Sequence, residues 1–272
     1  MHNDLFSIGP VTIHGYGLMI AIGVLAAIII SDRRCAKRGL KADHIYSLVV
    51  WMIVLGFLTA KILFIITYFK DFLADPRAFL KTSGFVVFGG LIGGMLTLYG
   101  YCRIKKISFV DYIDLIVPSV ALAQGFGRIG CLLAGCCYGR PTDSAIGIVF
   151  THSDFAPNNI KLLPTQIMMS IGDFIIAAIL FILAVKLEKR IQQKSGSDTY
   201  PSSTGGRLTL IYFILYSLGR FFVEYYRADY RGSVGPFSTS QFIGLLVIAA
   251  SIVMYYLFFI RNKNTAKGEK DE

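Results

Sequence analysis

A chain of 272 residues that is 54% hydrophobic and only 16% charged is not built like a soluble domain, in which about 25% of residues are charged. Its mean hydropathy is +0.60, and its apolar runs reach the length needed to cross a hydrocarbon core about 30 Å thick. Disorder, collagen and a secreted disulfide scaffold are excluded by the same figures. The fold class that remains is all-α, a polytopic membrane protein, in which the net charge of +10 is first a question of loop position and only then of nucleic acid.

Apolar windows give seven transmembrane helices, over 15–30, 46–69, 85–101, 111–126, 166–187, 208–225 and 241–260. The fourth carries Asp111, Asp114, Pro118 and Gln124, so it should face protein or a cavity and not lipid. Seventeen basic residues, beginning with Arg33 and Arg34, fall in the segments after spans one, three, five and seven, against eight after spans two, four and six. The positive-inside rule then puts the N-terminus outside and the C-terminus in the cytoplasm. Charge is thus a topology signal, and no nucleic acid is needed to explain it. The first span follows a neutral start and stops at Arg33-Arg34, which is no cleavable signal peptide. The expected organisation is a membrane domain over 1–262 with an outer loop over about 127–165, a polar inner linker over 192–206, and a charged cytoplasmic tail over 263–272.

Polar groups at membrane depth are costly, so each needs a partner or a purpose. Four groups stand out toward the outer ends of the spans. Tyr16, in His14-Gly15-Tyr16-Gly17, reads either as part of an interfacial aromatic belt or as a phenol donating to a headgroup or a reacting oxygen. Gly89-Gly90 opens a run with Gly93-Gly94. That run suits close helix contact or, at the helix start, a turn whose N–H groups hold an anion. Arg128 and Arg140 lie in a stretch with Gly127, Gly130 and Gly139. The planar guanidinium fork suits phosphate, so the pair reads as a phosphate clamp, or else as arginines snorkelling to the interface. Tyr216, Arg220, Glu224 and Arg227 are spaced along one helix. Arg220 and Glu224 share a face, as an ion pair that pins packing or as part of an anion site.

Cys131, Cys136 and Cys137 fall at the outer side, where disulfides persist. A Cys-x4-Cys-Cys cluster without a nearby His is not a zinc spacing. The three read as a packed cluster, as a disulfide with one thiol over, or as a nucleophile beside Arg128. No metal and no cofactor is expected, since the glycine runs form neither a Rossmann nor a P-loop pattern.

Taken in order, 7–19 (SIGPVTIHGYGLM), 89–93 (GGLIG), 127–130 (GRIG) with Gly139-Arg140, Pro164-Thr165-Gln166 and Tyr216…Arg220…Glu224…Arg227 resemble the prolipoprotein diacylglyceryl transferases of bacterial inner membranes. The resemblance implies a multi-pass enzyme of lipoprotein maturation. Such an enzyme moves the diacylglyceryl group of phosphatidylglycerol onto the lipobox cysteine of a prolipoprotein signal peptide, and glycerol phosphate leaves. It implies catalytic roles for Arg128, Arg220, Tyr16 and Tyr216. It implies substrate contacts for Gly89, Gly90, Gly127, Gly130, Gly139, Arg140, Gln166, Glu224 and Arg227. The chain departs from the family's pattern at Phe88, where a His is usual, at Cys131 and Cys136, where Asn and Glu are usual, and at Met168-Met169, usually Tyr-Glu. Two other readings stand beside the transferase. One is a related membrane transferase with another acceptor or a covalent cysteine; the other is a phospholipid-binding or transporting protein without catalysis.

Overall fold

The computed structural model describes residues 4–9, 11–82, 84–195, 201, 204–229 and 232–261. The expected tail, 263–272, and part of the expected inner linker lie outside the described residues. An antiparallel hairpin, β1 (Asp4–Ile8) with β2 (Val11–His14), runs directly into α1 (Gly15–Lys37). Then come α2 (Asp43–Thr67), the short α3 (Phe69–Ala74) and α4 (Pro76–Lys81), α5 (Val87–Lys105) and α6 (Phe109–Ala134). The outer loop carries the two-residue strands β3 (Ile148–Val149) and β4 (Lys161–Leu162). The chain continues through α7 (Thr165–Ser195), α8 (Arg207–Glu224), a ribbon of β5 (Ser233–Val234) and β6 (Phe237–Ser238), and α9 (Thr239–Tyr255), which ends in a π-helical turn, Tyr256–Arg261.

Among the described residues six helices, α1, α2, α5, α6, α7 and α9 with its extension, are long and apolar enough to cross a membrane. The protein is a multi-pass membrane protein. The expected sixth span is α8, whose 18 residues include Arg207, Arg220 and Glu224, so that its longest uncharged run is the twelve residues 208–219. The lipid-facing helices show the inverse of a soluble surface: Trp51, Phe57, Leu58 and Ile66 of α2 are all exposed.

Polar content puts α6 at the centre, where α1, α7 and α8 pack around it. Gly23 lets α1 close in, since a Cβ there would stand 3.0 Å from the Ala123 carbonyl of α6, and Ser31 bonds Ser119 across the same seam at 3.1 Å. Asp114 is fully buried and caps the start of α8 from the side. Its carboxylate accepts from the Gly206 N–H at 3.0 Å, from the Thr209 N–H at 2.8 Å, from the Thr209 hydroxyl at 2.6 Å, and from the Thr204 hydroxyl. An anion at a helix N-terminus answers both the open N–H groups and the dipole. Pro118 interrupts the α6 ladder, and the Leu115 carbonyl one turn earlier accepts from Arg34. Where α1 and α7 end, Arg38 and Glu188 are bonded at 2.9 Å, both buried.

Two sequence expectations are corrected. The fourth span was expected to stop at 126, with Arg128 in the outer loop. Instead α6 runs from a Ser108 cap, whose hydroxyl takes the Asp111 N–H at 3.3 Å, to Ala134. Burial against α1 and α7 outweighs the low helix propensity of Gly125, Gly127 and Gly130, so the outer loop begins at Gly135. The Gly89 turn with open N–H groups does not form. The Gly89 N–H is donated to the Val86 carbonyl at 3.0 Å, and a Cβ at Gly89 would fall 2.5 Å from the Thr59 carbonyl of α2. Gly93 likewise lies against Thr59, and Gly90 also faces α2, with a Cβ 3.5 Å from the Gly56 carbonyl. Close helix contact accounts for the run.

Candidate active site

The outer ends of α1, α6, α7 and α8 meet in one polar cluster. Arg128 leaves α6 two turns before its end, its side chain 20% exposed. Its Nη2 donates to the Tyr216 hydroxyl of α8 at 3.3 Å, and its Nε stands 3.9 Å from Asp173 of α7. Neither contact is tight enough to consume the guanidinium. Asp173 was missed in the sequence, though it is the one acidic residue between 166 and 185. Its side chain is 3% exposed, and its Oδ2 has no hydrogen-bond partner among the described residues. Tyr216 is set in place by stacking on Tyr212, centroids 5.7 Å apart, and Tyr212 donates to Gln124 of α6 at 2.7 Å.

Tyr16 enters from the start of α1. Gly130 makes room for it: a Cβ there would lie 3.1 Å from the Tyr16 carbonyl and 3.2 Å from its ring. Arg128 and the three outer cysteines are its electrostatic neighbours. His14, next door, bonds Asp4 at 2.6 Å in the exposed hairpin. Gly127 faces open space.

α8 stops at Glu224, so Arg227, expected on the same helix, lies just past its end, and the charges still form a chain. Arg220 and Glu224 pair at 2.8 Å, and Arg227 stands 3.8 Å from the same carboxylate and also bonds Asp229. Arg220 Nη2 reaches Ser240 at 3.4 Å, while its Nη1 is buried with no hydrogen-bond partner among the described residues.

The expected substrate contacts of the outer loop are tied into the fold. Gly139 and Arg140 splice the loop to its neighbours through the backbone: Gly139 N–H to Leu163 O at 2.9 Å, Arg140 N–H to Tyr226 O at 2.9 Å, and Leu163 N–H to Arg140 O at 3.0 Å. The Gly139 hydrogen must be small because a Cβ would meet the Leu163 carbonyl at 2.6 Å. The Arg140 side chain is exposed, away from the Arg128 pairings. Gln166 is 1% exposed, with its amide N–H donated to the Cys136 carbonyl at 2.8 Å. Thr165 beside it donates to the Cys137 carbonyl at 2.7 Å. The Pro-Thr-Gln stretch therefore clamps the cysteine loop.

Within that loop the three thiols come together. Gly135 ends α6 in the left-handed conformation, φ 75°, and the Cys136 N–H returns to the Cys131 carbonyl at 3.1 Å. Cys137 is itself left-handed at φ 62°. The Sγ atoms of Cys131, Cys136 and Cys137 all lie within 4.8 Å of one another. Hydrogen bonds from the Cys131 and Cys136 thiols hold Cys137 below the ordinary thiol range, with Arg227 pulling the same way. The same network pushes Cys136 above it.

Residues 3–257 match the family model described as prolipoprotein diacylglyceryl transferase. The chain is 46% identical over 252 residues, 92% of its length and 95% of the relative's, to a phosphatidylglycerol–prolipoprotein diacylglyceryl transferase of Clostridium tetani. It is 40% identical to transferase 2 of that name from Clostridium perfringens, covering 95% of this chain and 94% of that one. With the enzyme of that name from Staphylococcus carnosus the identity is 31%, over 92% and 87%.

Proposed function

The chain belongs to the prolipoprotein diacylglyceryl transferase family, and from that membership we propose that it transfers the diacylglyceryl group of phosphatidylglycerol to the lipobox cysteine thiol of prolipoproteins, releasing glycerol phosphate. Its place is the bacterial cytoplasmic membrane, with the N-terminus and the outer loop outside and α8 as the seventh crossing. In support, Arg38 just past the end of α1 pairs with Glu188, two turns before the end of α7, and Asp114 near the start of α6 meets the start of α8.

In the reaction, a sulfur lone pair of the acceptor attacks the glyceryl carbon that bears the phosphate. The C–S bond forms as the C–O bond breaks, and that electron pair moves onto the phosphate oxygen. Charge therefore grows on the leaving group, where preorganised donors act most strongly. Arg128 and Arg220 are those donors, and Tyr216 and Tyr16 supply hydroxyls beside them. The observation that carries the reading is the loosely held Arg128, 3.3 Å from Tyr216 and 3.9 Å from Asp173, able to turn its fork to a phosphate. A cavity of about 360 Å³ between α1, α2 and α6, lined by Ile20, Val24, Leu48, Met52 and Ala123 with Gln124 at the polar end, suits an acyl chain. Gln124 links it through Tyr212 to Tyr216.

The test is glycerol phosphate release by the full-length protein in detergent, from phosphatidylglycerol with a lipobox peptide. Release that requires the peptide cysteine is expected. Release without peptide, or lipid binding with no release, removes the reading.

A further inference from the structure

We propose that Cys131, Cys136 and Cys137 form a three-thiolate site for Zn²⁺ whose fourth position receives the acceptor thiol. The inference rests on the transferase reading for its last ligand and on geometry for the rest. A tetrahedral zinc with Zn–S bonds of about 2.3 Å sets its sulfurs about 3.8 Å apart. The three Sγ atoms, already within 4.8 Å of one another, need to close by about 1 Å at most.

The backbone presents them from three directions that are each fixed independently. Cys131 sits in the last turn of a buried helix. Cys136 is returned over it by the helix stop at Gly135, and Cys137 is turned by its own left-handed φ of 62°. A left-handed non-glycine residue costs of order 1–3 kcal/mol and persists where its surroundings over-determine it. Here the Gln166 and Thr165 side chains pin the Cys136 and Cys137 carbonyls. Outer-shell support of this kind is what a ligand set needs to keep its aim.

Positive charge stands beside the sulfurs as well: Arg227 and Arg128 are both electrostatic neighbours of Cys137, and Arg128 also of Cys131. With Zn²⁺ and four thiolate sulfurs the centre carries two negative charges, which the two guanidiniums offset in part, since they also face Asp229 and Asp173. Three protein ligands and one open position make a catalytic zinc site, and a thiol that enters such a position is deprotonated outright. Of the other carboxylates and imidazoles nearby, Glu224 lies between Arg220 and Arg227, His14 bonds Asp4 in the exposed hairpin, and Asp173, with its unbonded Oδ2, faces Arg128. Cys131 follows Arg128 by three residues on the same helix face, so the zinc-bound sulfur lies beside the phosphate clamp.

The step balances without redox change. The acceptor thiol gives up its proton on binding zinc. Its sulfur then attacks the glyceryl carbon, and the C–O electron pair leaves with the phosphate oxygen, which takes up a proton as glycerol phosphate. The thioether product is a poor zinc ligand and departs.

The test uses full-length protein purified in detergent under reductant. Elemental analysis is expected to give close to one zinc per chain. Replacement by Co²⁺ is expected to give sulfur-to-cobalt charge transfer in the near ultraviolet and tetrahedral visible bands. A lipobox peptide should shift the visible bands, and its Cys-to-Ser form should not. Stripping the metal is expected to lower glycerol phosphate release at least roughly 100-fold, with recovery on adding Zn²⁺. Cys136→Ser, at a half-buried position, should lose metal while its thermal unfolding shows a folded chain. Cys131→Ser is then read only for cobalt charge transfer, which should also disappear. Failure of the reduced protein to take up zinc, a disulfide within the trio of the active protein, or undiminished release by the stripped protein would each overturn the zinc site and leave the transferase standing. A stoichiometric sulfur-ligated metal that the peptide does not perturb, in a protein that releases no glycerol phosphate, overturns the proposed role and the transferase reading together, leaving a metal site of another purpose.

Discussion

Two charged groups on α6, one fully buried and one largely so, face opposite ends of the molecule, and they are treated in opposite ways. Asp114, at the inner end, accepts four hydrogen bonds from Thr204, Gly206 and Thr209, so every lone pair that geometry can reach is used. Arg128, at the outer end, has one long hydrogen bond and a carboxylate 3.9 Å away, and that carboxylate keeps an unbonded oxygen. A saturated buried ion is structure. An under-satisfied one is costly in a low-dielectric interior, and the cost is repaid only by something that arrives later. Arg38 and Glu188, buried near the other end of the bundle from Arg128, are paired with each other at 2.9 Å.

The comparison breaks first at Arg128. Arg128→Ala is expected to lower glycerol phosphate release by about 10²–10³-fold, with little change in thermal unfolding because so little of its bonding is internal. Loss of stability without a rate defect would make Arg128 scaffold. Asp114→Ala should do the reverse. It strips the cap from α8 and leaves two threonine hydroxyls and two backbone N–H groups without their acceptor, which costs about 3 kcal/mol of stability. Denaturant unfolding in mild detergent would show it, while kcat at a permissive temperature stays near the parent value. Tyr216→Phe keeps the stack on Tyr212 and removes one hydroxyl, so kcat should fall roughly ten-fold with unfolding unchanged. The smallest effect and the finest test belong to Gly127→Ala. A Cβ there meets nothing, so helix propensity should raise stability by about 0.5–1 kcal/mol. If lipid occupies that space, activity drops even as the fold tightens. Full activity would move the lipid elsewhere.

Much of this was legible in the sequence, for a simple reason: in a bilayer, hydropathy and backbone satisfaction leave few options. Six of the seven expected spans and the central place of the polar fourth helix followed directly. The first hairpin did not, although 4–14 alternates around Gly9-Pro10, because five-residue strands are lost beside a strong helix signal. The extension of α6 to Ala134 was hidden by glycines, which look like loop until Tyr16 and the neighbouring helices are seen to need the room. Asp173 had a signal that went unread, an isolated carboxylate in an apolar run. A packed thiol cluster was one of three readings of Cys131, Cys136 and Cys137, and spacing alone does not choose among them, since a helix stop, a left-handed cysteine and two clamping side chains from another helix assemble it. Phe88 and Met168-Met169 set this chain apart from the pattern it resembles. Of these, Phe88 stands half-exposed at the start of α5, on the side of the bundle that pairs with α2.

The seam between α1 and α6 has a consequence for synthesis. α2 and α5 are neighbours in the order of making and can close on each other as soon as both have left the ribosome. The partner of α1 is α6, and Gly23 meets Ala123 only after roughly 100 further residues have been added, about 5–20 s at ordinary elongation rates. For that interval the first helix waits in lipid with its glycine notch and Ser31 unpartnered. Slow codons or a crowded insertion site between those two segments would lengthen the wait, and misassembly should rise with it.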